Sequence, residues 1–324
     1  MSQDAIRTPA LADYEPTLAD DRDEILAGLR ASPKRISPKY FYDSRGSALF
    51  DRICELPEYY PTRTELAIMR EHDTAIADAV GPGACVIEFG SGSSVKIRVL
   101  LSTLREVAAY VPVEISRSHL MTAAEGLAQD FPSLEIRPVC ADFTQPFELP
   151  AIDHAVRRRV AWFPGSTIGN FEPDDALALL DVMRGQVGTD GGLLIGVDLD
   201  KDTAVLERAY NDAAGVTAEF NLNLLRRLNR ELDADFDLDA FRHRAHYDRA
   251  QRRIEMRLYS TRAQQVRVAG EQLSFADGEH IVTEYSHKYT LGGFASLAKR
   301  AGFEVRQVWT DAERLFSVQY LAVD

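Results

Sequence analysis

Apolar and polar positions follow two rhythms along this chain. The run Ala84–Phe89, apolar and β-branched, breaks at Gly90-Ser91-Gly92-Ser93-Ser94, and Val95, Val99, Leu100 and Leu104 then recur at helical spacing. That order predicts strand, glycine-rich turn, helix. It repeats with a strand at Tyr110–Ile115 and a helix carrying Leu120, Met121 and Leu127. A third strand is expected over about Leu134–Val139, ending at Ala141-Asp142-Phe143, and a fourth at Val160–Phe163, ending at Pro164-Gly165-Ser166. A helix from Pro173 to Met183 leads to Gly191-Gly192 and a strand at Leu193–Val197. Alternation of this kind builds βαβ units and a parallel sheet covered on both faces.

The rhythm then changes. A long helix is expected over about Thr203 to Leu232, then an acidic turn, Asp233 to Asp239. Period-two segments follow: Ile254, Met256 and Leu258; Val266 and Val268; Ile281, Thr283 and Tyr285. These predict half-exposed antiparallel strands. A helix (Leu291–Ala301) and strands at Phe303–Trp309 and Phe316–Val323 restore the α/β character. The expected architecture is α/β: a doubly wound domain of residues 62–198 and 290–324, with an insertion after its fifth strand. Residues 24–61, opening with a helix from Glu24 to about Arg30, and the insertion, 199–289, are each small for a stable core. They are expected to join as a second, α+β domain. Residues 1–23, with Pro9, Pro16 and the acids Asp20, Asp21 and Asp23, read as a flexible tail. The aromatics Tyr40, Phe41, Tyr42, Phe50, Tyr59 and Tyr60 suit either a core contact or a site.

Composition narrows the class. The 324 residues are 45% apolar and 27% charged, which excludes disordered and collagen-like chains. No apolar run is long enough to span a membrane, and the polar start has no signal-peptide core. A net charge of −13 argues against nucleic acid or an anionic membrane as partner. Cys54, Cys85 and Cys140 are widely spaced, which suggests a reducing, cytoplasmic setting and no metal site. His243 and His246 are spaced like a weak metal pair, but arginines at 242, 244, 249, 252 and 253 surround them, and a solvated face is the better reading.

Candidate chemistry begins at the turn. Gly90 and Gly92 let a ligand approach the backbone. Val95 stands where a dinucleotide fingerprint has its third glycine, Glu88 precedes the first glycine, and Glu114 ends the next strand, where a ribose diol is held. An acid before G-x-G without that third glycine fits a nucleoside lacking pyrophosphate, S-adenosylmethionine, better than a nicotinamide dinucleotide. Asp142 could accept the adenine amino group and Phe143 could lie against the ring; a strand-ending Asp with a core Phe is the other reading. Lys96 opens the following helix and is a candidate to reach the cofactor's carboxylate.

Several longer strings carry a resemblance. Phe41-Tyr42-Asp43 with Gly46-Ser47 and Leu49-Phe50, the stretch Leu56 to Arg63, Glu88 to Lys96, Phe163 to Phe171, Tyr210 to Thr217, and Glu284 with Ser286 occur in this order. Together they resemble the L-histidine Nα-methyltransferases of ergothioneine biosynthesis over about residues 24–324. The resemblance implies a class I methyltransferase domain with a family-specific substrate domain. It implies threefold methylation of the histidine α-amino group by S-adenosylmethionine, giving hercynine, with no metal. Gly90, Gly92, Lys96, Glu114, Asp142 and Phe143 would contact the cofactor. Tyr42, Tyr59, Asn170 and Tyr210 would hold the amino-acid end, with Tyr42 and Asn170 at the reacting amine. Glu284 and Ser286 would hold the imidazole, and Phe50 and Met256 would line the pocket. The family pattern has Asp at the ribose position where this chain has Glu114, and Tyr59 and Tyr60 compete for one role. L-Histidine is the expected partner of a monomeric chain, with no nucleic acid and no membrane.

The chemistry is consistent with those residues. A neutral amine must attack, and Tyr42, Asn170 and Tyr210 are uncharged, so they leave its proton free to depart. Residues 284 and 286 lie two apart on an expected strand and so share a face; a carboxylate accepts a ring N–H and a hydroxyl serves the other nitrogen. His287 falls on the opposite face. Rival readings are a methyltransferase for another amino acid or amine, a non-catalytic binding protein on the same fold, and a nicotinamide-linked oxidoreductase, which Val95 disfavours.

Overall fold

The computed structural model describes residues 9–14, 21–92 and 94–324. The described chain divides into two compact units: residues 9–14, 61–199 and 289–324, and residues 21–60 and 200–288.

The first unit is built on an eight-stranded sheet. Its order across the sheet is Ala12–Asp13, Val139–Cys140, Ala109–Glu114, Ala84–Phe89, Arg158–Phe163, Gly192–Asp198, Phe316–Val323, Phe303–Thr310. The first six are parallel to their neighbours and the last two run antiparallel. The central strands read as near-continuous apolar runs because both faces are covered, with charged residues such as Glu88, Glu114 and Asp198 at or near their carboxyl ends. Ile87, Phe89, Phe163 and Ile195 pack to one side with Leu180, Met183 and Phe294. Val86, Trp162, Leu194 and Val318 pack to the other with Ile68, Ile76 and Leu100. Two helices without a forecast, Tyr60–Glu71 and Asp73–Val80, precede the first central strand.

Two expectations are corrected here. The strand anticipated over Leu134–Val139 is only Val139–Cys140, with an isolated bridge from Ile136 to Tyr110. Pro138 lies between the two paired points, and proline has no N–H for the ladder. Within the stretch read as a tail, Ala12–Asp13 forms the sheet's edge strand, parallel to Val139–Cys140. The rest of that tail, residues 1–8 and 15–20, lies outside the described residues.

The second unit is α+β. Its four-stranded sheet runs Lys34–Arg35, His280–His287, Arg253–Ser260, Phe241–Asp248, with helices Arg22–Arg30, Ser44–Cys54, Thr203–Tyr210 and Val216–Glu231. A separate hairpin pairs Gln264–Val268 with Glu271–Phe275. The single helix expected over Thr203 to Leu232 is thus two. The break is stabilised: Gly215 takes a φ of 73°, and the Asp212 carboxylate accepts from the Val216 and Thr217 amides, each at 2.8 Å. Those bonds hold the Asp212 carboxyl below its usual range against the opposing pull of burial. The solvated face expected there is the outer side of Phe241–Asp248 and the turn after it, where Arg242, Arg244, His246, Arg249 and Arg252 are exposed; His243 is the exception, half-buried. The His243 ring is within 2.8 Å of the Asn221 amide nitrogen and of the Tyr210 carbonyl oxygen, while His246 is exposed beside Glu207.

Candidate active site

In the first unit the chain leaves the strand Ala84–Phe89 through Gly90, whose φ of 74° places it in the left-handed region that favours glycine. The Gly90 and Ser91 amides donate to the Val113 carbonyl at 2.9 and 3.1 Å. The Gly92 amide donates to Glu114 at 3.2 Å, and the other Glu114 oxygen accepts from the Ser116 amide at 3.1 Å. Glu114 therefore braces the turn from the neighbouring strand while keeping acceptor capacity for a ligand. Burial pushes its pKa up. Glu88 is fully buried, accepts from the Tyr110 hydroxyl, and is pushed up to about 8, chiefly by desolvation. Ser91 Oγ is buried with no partner among the described residues. An orphaned hydroxyl, permissive glycines and a bracing acid at the carboxyl end of the strands fit a nucleoside-type cofactor.

Asp142 accepts from the amide and hydroxyl of Thr144, at 3.0 and 2.6 Å, which closes the chain after Val139–Cys140. Phe143 packs edge-on to Phe89 and Phe163, with centroids 6.0 and 5.8 Å away. Lys96, expected to reach the cofactor, forms an ion pair at 2.6 Å with Glu65, which is wholly buried and also accepts from the Gly165 amide at 3.0 Å. Asn170 ends the short 3-10 helix Thr167–Asn170, half-buried. That turn is tied down by Ser166, whose Oγ accepts from the Asp198 amide at 2.9 Å.

In the second unit a chain of aromatic rings runs from Tyr42 to Phe50 to Tyr59 to Tyr210, with centroid spacings of 5.9, 6.4 and 6.1 Å. Phe220, not foreseen, closes on Tyr42 and Phe50 and stacks on Phe41. Tyr59 is the member of this chain; the Tyr60 hydroxyl accepts from Lys201 at 2.6 Å. Glu284 pairs in register with Met256 on the adjacent strand, and both are buried. Desolvation pushes Glu284 up to about 7, with Lys288 pulling the other way, and its carboxylate has no hydrogen-bond partner among the described residues. A shift in register between Val282 and Glu284 turns Glu284 and Ser286 inward and leaves Tyr285 half-buried, so the inward face expected for Ile281, Thr283 and Tyr285 does not persist. The Ser286 and Tyr210 hydroxyls are 2.8 Å apart, and the Lys288 ammonium lies on both. Lys288, buried beside Ser286, carries no expectation from the sequence although Glu284, Ser286 and Lys288 share one alternation. Glu65 had no local signal, because its partners lie far along the chain.

Among the described residues no group of three or more His, Cys, Asp or Glu is placed to hold a metal, and no helix is long and apolar enough to cross a membrane. The first unit has the sheet and turn of the class I, nucleoside-dependent methyltransferases. A family profile described as histidine-specific, S-adenosylmethionine-dependent methyltransferase matches residues 21–323, and the chain belongs to that family. It is 44% identical to the histidine N-alpha-methyltransferase of Mycolicibacterium smegmatis, over 90% of this chain and 91% of that protein. It is 40% identical to the protein of the same name from Mycobacterium tuberculosis, over 93% and 94%. Ergothioneine biosynthesis protein 1 of Neurospora crassa is 31% identical, over 86% of this chain and 32% of its own length. Among solved structures, mitomycin 7-O-methyltransferase superposes with a TM-score of 0.49 at 12% identity, over 94% of this chain and 68% of the other.

Proposed function

We propose that this chain transfers methyl groups from S-adenosylmethionine to the α-amino nitrogen of L-histidine, three times, yielding hercynine for ergothioneine biosynthesis. The observation that carries this is Glu284: a buried carboxylate with no hydrogen-bond partner from the described residues, on the same face as Ser286, in a chain of a histidine-specific family. A ring N–H is the donor that such an acceptor lacks. When bound, the donor supplies a methyl on a sulfonium, so the amine lone pair forms N–C as C–S breaks and the sulfur leaves as a thioether.

The residues of this chain do the rest. In the first unit Gly90, Gly92, Glu114, Asp142 and Phe143 bind the nucleoside, and Asn170 contacts the amino acid. In the second, Tyr42, Tyr59 and Tyr210 orient the head group, and uncharged oxygens leave the amine free to lose its proton. The rings of Tyr42 and Phe50 suit the fixed cation of the product, at about 0.5–2 kcal/mol each. Orientation of this kind contributes about 7–11 kcal/mol to such displacements. Three cysteines outside any disulfide fit a cytoplasmic setting. The test is mass spectrometry of histidine incubated with enzyme and S-adenosylmethionine. One, two and three added methyls on the α-nitrogen, absent with other amino acids, are expected; methylation of another amino acid in preference to histidine overturns the assignment.

A further inference from the structure

Phe241–Asp248 is an edge strand of the four-stranded sheet, so its outward backbone groups need partners from outside that sheet. The end of the helix Thr203–Tyr210 supplies them through side chains. Asn211 acts as a neighbouring strand would: its Oδ1 accepts from the Ala245 amide at 2.8 Å, and its Nδ2 donates to the Ala245 carbonyl at 3.0 Å. Nδ2 also donates to the Glu207 carbonyl at 2.7 Å. One turn earlier, the Glu207 carboxylate accepts from the Tyr247 amide at 3.0 Å.

The last residue of that helix is Tyr210. A helix leaves its final carbonyls without intrahelical donors, and that of Tyr210 lies 2.8 Å from His243 Nε2. A carbonyl only accepts, so the ring carries a proton on Nε2. Nδ1 lies 2.8 Å from the Asn221 amide nitrogen, which is also 3.4 Å from the Arg257 carbonyl oxygen. That nitrogen donates to both, so Nδ1 is bare. Burial lowers the His243 pKa and favours this neutral form. Asn221 is fully buried and fixes the ring from behind. Along the strand His243 alternates with Phe241, Ala245 and Tyr247, so it is a polar side chain on the covered face.

We propose that His243 and Asn211 are positioning residues for the histidine head group: they pin the backbone at Tyr210 to the strand Phe241–Asp248 and so hold the Tyr210 side chain where the head group is bound. The inference rests on histidine being the substrate and on Tyr210 contacting its amino-acid end. The Tyr210 hydroxyl is at the far end of the ring from the pinned backbone, 2.8 Å from Ser286. A small rotation of the helix end is enough to displace it. Neither bond involves that hydroxyl, so the two residues act through the place of Tyr210 and not through its chemistry.

The test is calorimetry on the full-length protein, with histidine titrated in the presence of S-adenosylhomocysteine and S-adenosylhomocysteine titrated alone. His243→Phe removes the donor and keeps a ring; Asn211→Leu removes the strand-like pairing and carries the same comparison should the first variant not fold. Each should raise Kd for histidine about three- to tenfold and leave that of S-adenosylhomocysteine unchanged. His243→Gln, whose amide can donate to the same carbonyl, should recover most of the affinity. In a Tyr210→Phe background, His243→Phe should add almost nothing, because the group being placed is gone. Equal weakening of both ligands, or a His243→Phe loss that persists in full in that background, overturns the inference. A further readout needs no ligand: 15N NMR of the wild type near pH 7 should show the His243 proton on Nε2, its signal assigned by its loss in His243→Gln, and a proton on Nδ1 instead overturns the inference as well. A wild type that binds S-adenosylhomocysteine but not histidine overturns the substrate assignment, and this inference with it.

Discussion

At the scale of single residues, two buried acids have measurable consequences. Glu284 is pushed from the usual carboxylate range to about 7 in the folded protein. A folded pKa above the unfolded one means stability that is present at low pH and lost as pH rises through the folded value. Glu284→Gln should therefore match the ligand-free wild type near pH 4 and exceed it at pH 8 by roughly 3 kcal/mol, read from urea unfolding. Equal stabilities at both pH values would refute the burial argument. The same substitution bears on activity. In the wild type, kcat/KM for histidine should climb from about pH 6 to 9, first as Glu284 ionises and then as the amine deprotonates; the variant should keep only the second rise. Removing the acceptor altogether, Glu284→Ala, should lower kcat/KM for histidine by roughly ten- to a hundred-and-fifty-fold and shrink the preference over phenylalanine, because a hydrogen bond to a charged group contributes about 1.5–3 kcal/mol. Glu65 poses a different case, since its partner Lys96 is also largely buried. Lys96→Met should cost about 3–5 kcal/mol by stranding the carboxylate. Adding Glu65→Gln should recover much of that loss; a second loss of equal size would mean that the two residues act independently.

At the scale of elements, the break between Thr203–Tyr210 and Val216–Glu231 holds the end of one helix where Tyr210 can meet Ser286. Asp212→Ala removes the acceptor of two amides and should cost about 1–3 kcal/mol while raising KM for histidine more than for S-adenosylmethionine. An equal rise for both would indicate general loosening. Apolar periodicity hid this break, because Leu206, Ala209, Val216, Phe220 and Leu224 are all buried and read as one stripe. The evidence against a continuous helix was local, in Asp212 and Gly215. Ala84–Phe89 is legible to the residue because burial on both faces leaves an apolar run broken only by Glu88, and Phe316–Val323 is legible although Ser317 and Gln319 are buried within it. Val139–Cys140 was overestimated, since Pro138 limits pairing that apolar content alone invites. The roles proposed for Tyr42 and Asn170 come from long shared strings rather than from spacing, and the burial of Lys288 has no sequence signal because a lysine at a strand end is ordinarily solvated.

At the scale of the molecule, the residues proposed for the nucleoside lie in the first unit and those proposed for the imidazole in the second, so the two ligands should leave separate traces. In hydrogen exchange, S-adenosylhomocysteine alone should protect the turn at Gly90 and Gly92 and the end of Ala109–Glu114, and histidine alone should slow exchange around Glu284 to Lys288. Protection by the nucleoside confined to residues 200–288 would reverse the assignment of roles. The order of strands in the larger sheet also bears on how the chain comes to be folded. Phe316–Val323 lies between Gly192–Asp198 and Phe303–Thr310, yet both neighbours precede it in the chain. During synthesis those two strands have no partner between them until the later one arrives, and each offers an unpaired edge to any other chain nearby. The nascent protein is therefore most vulnerable to association with its own copies late in translation, when nearly all of its apolar surface has been made and the strand that joins the two edges has not.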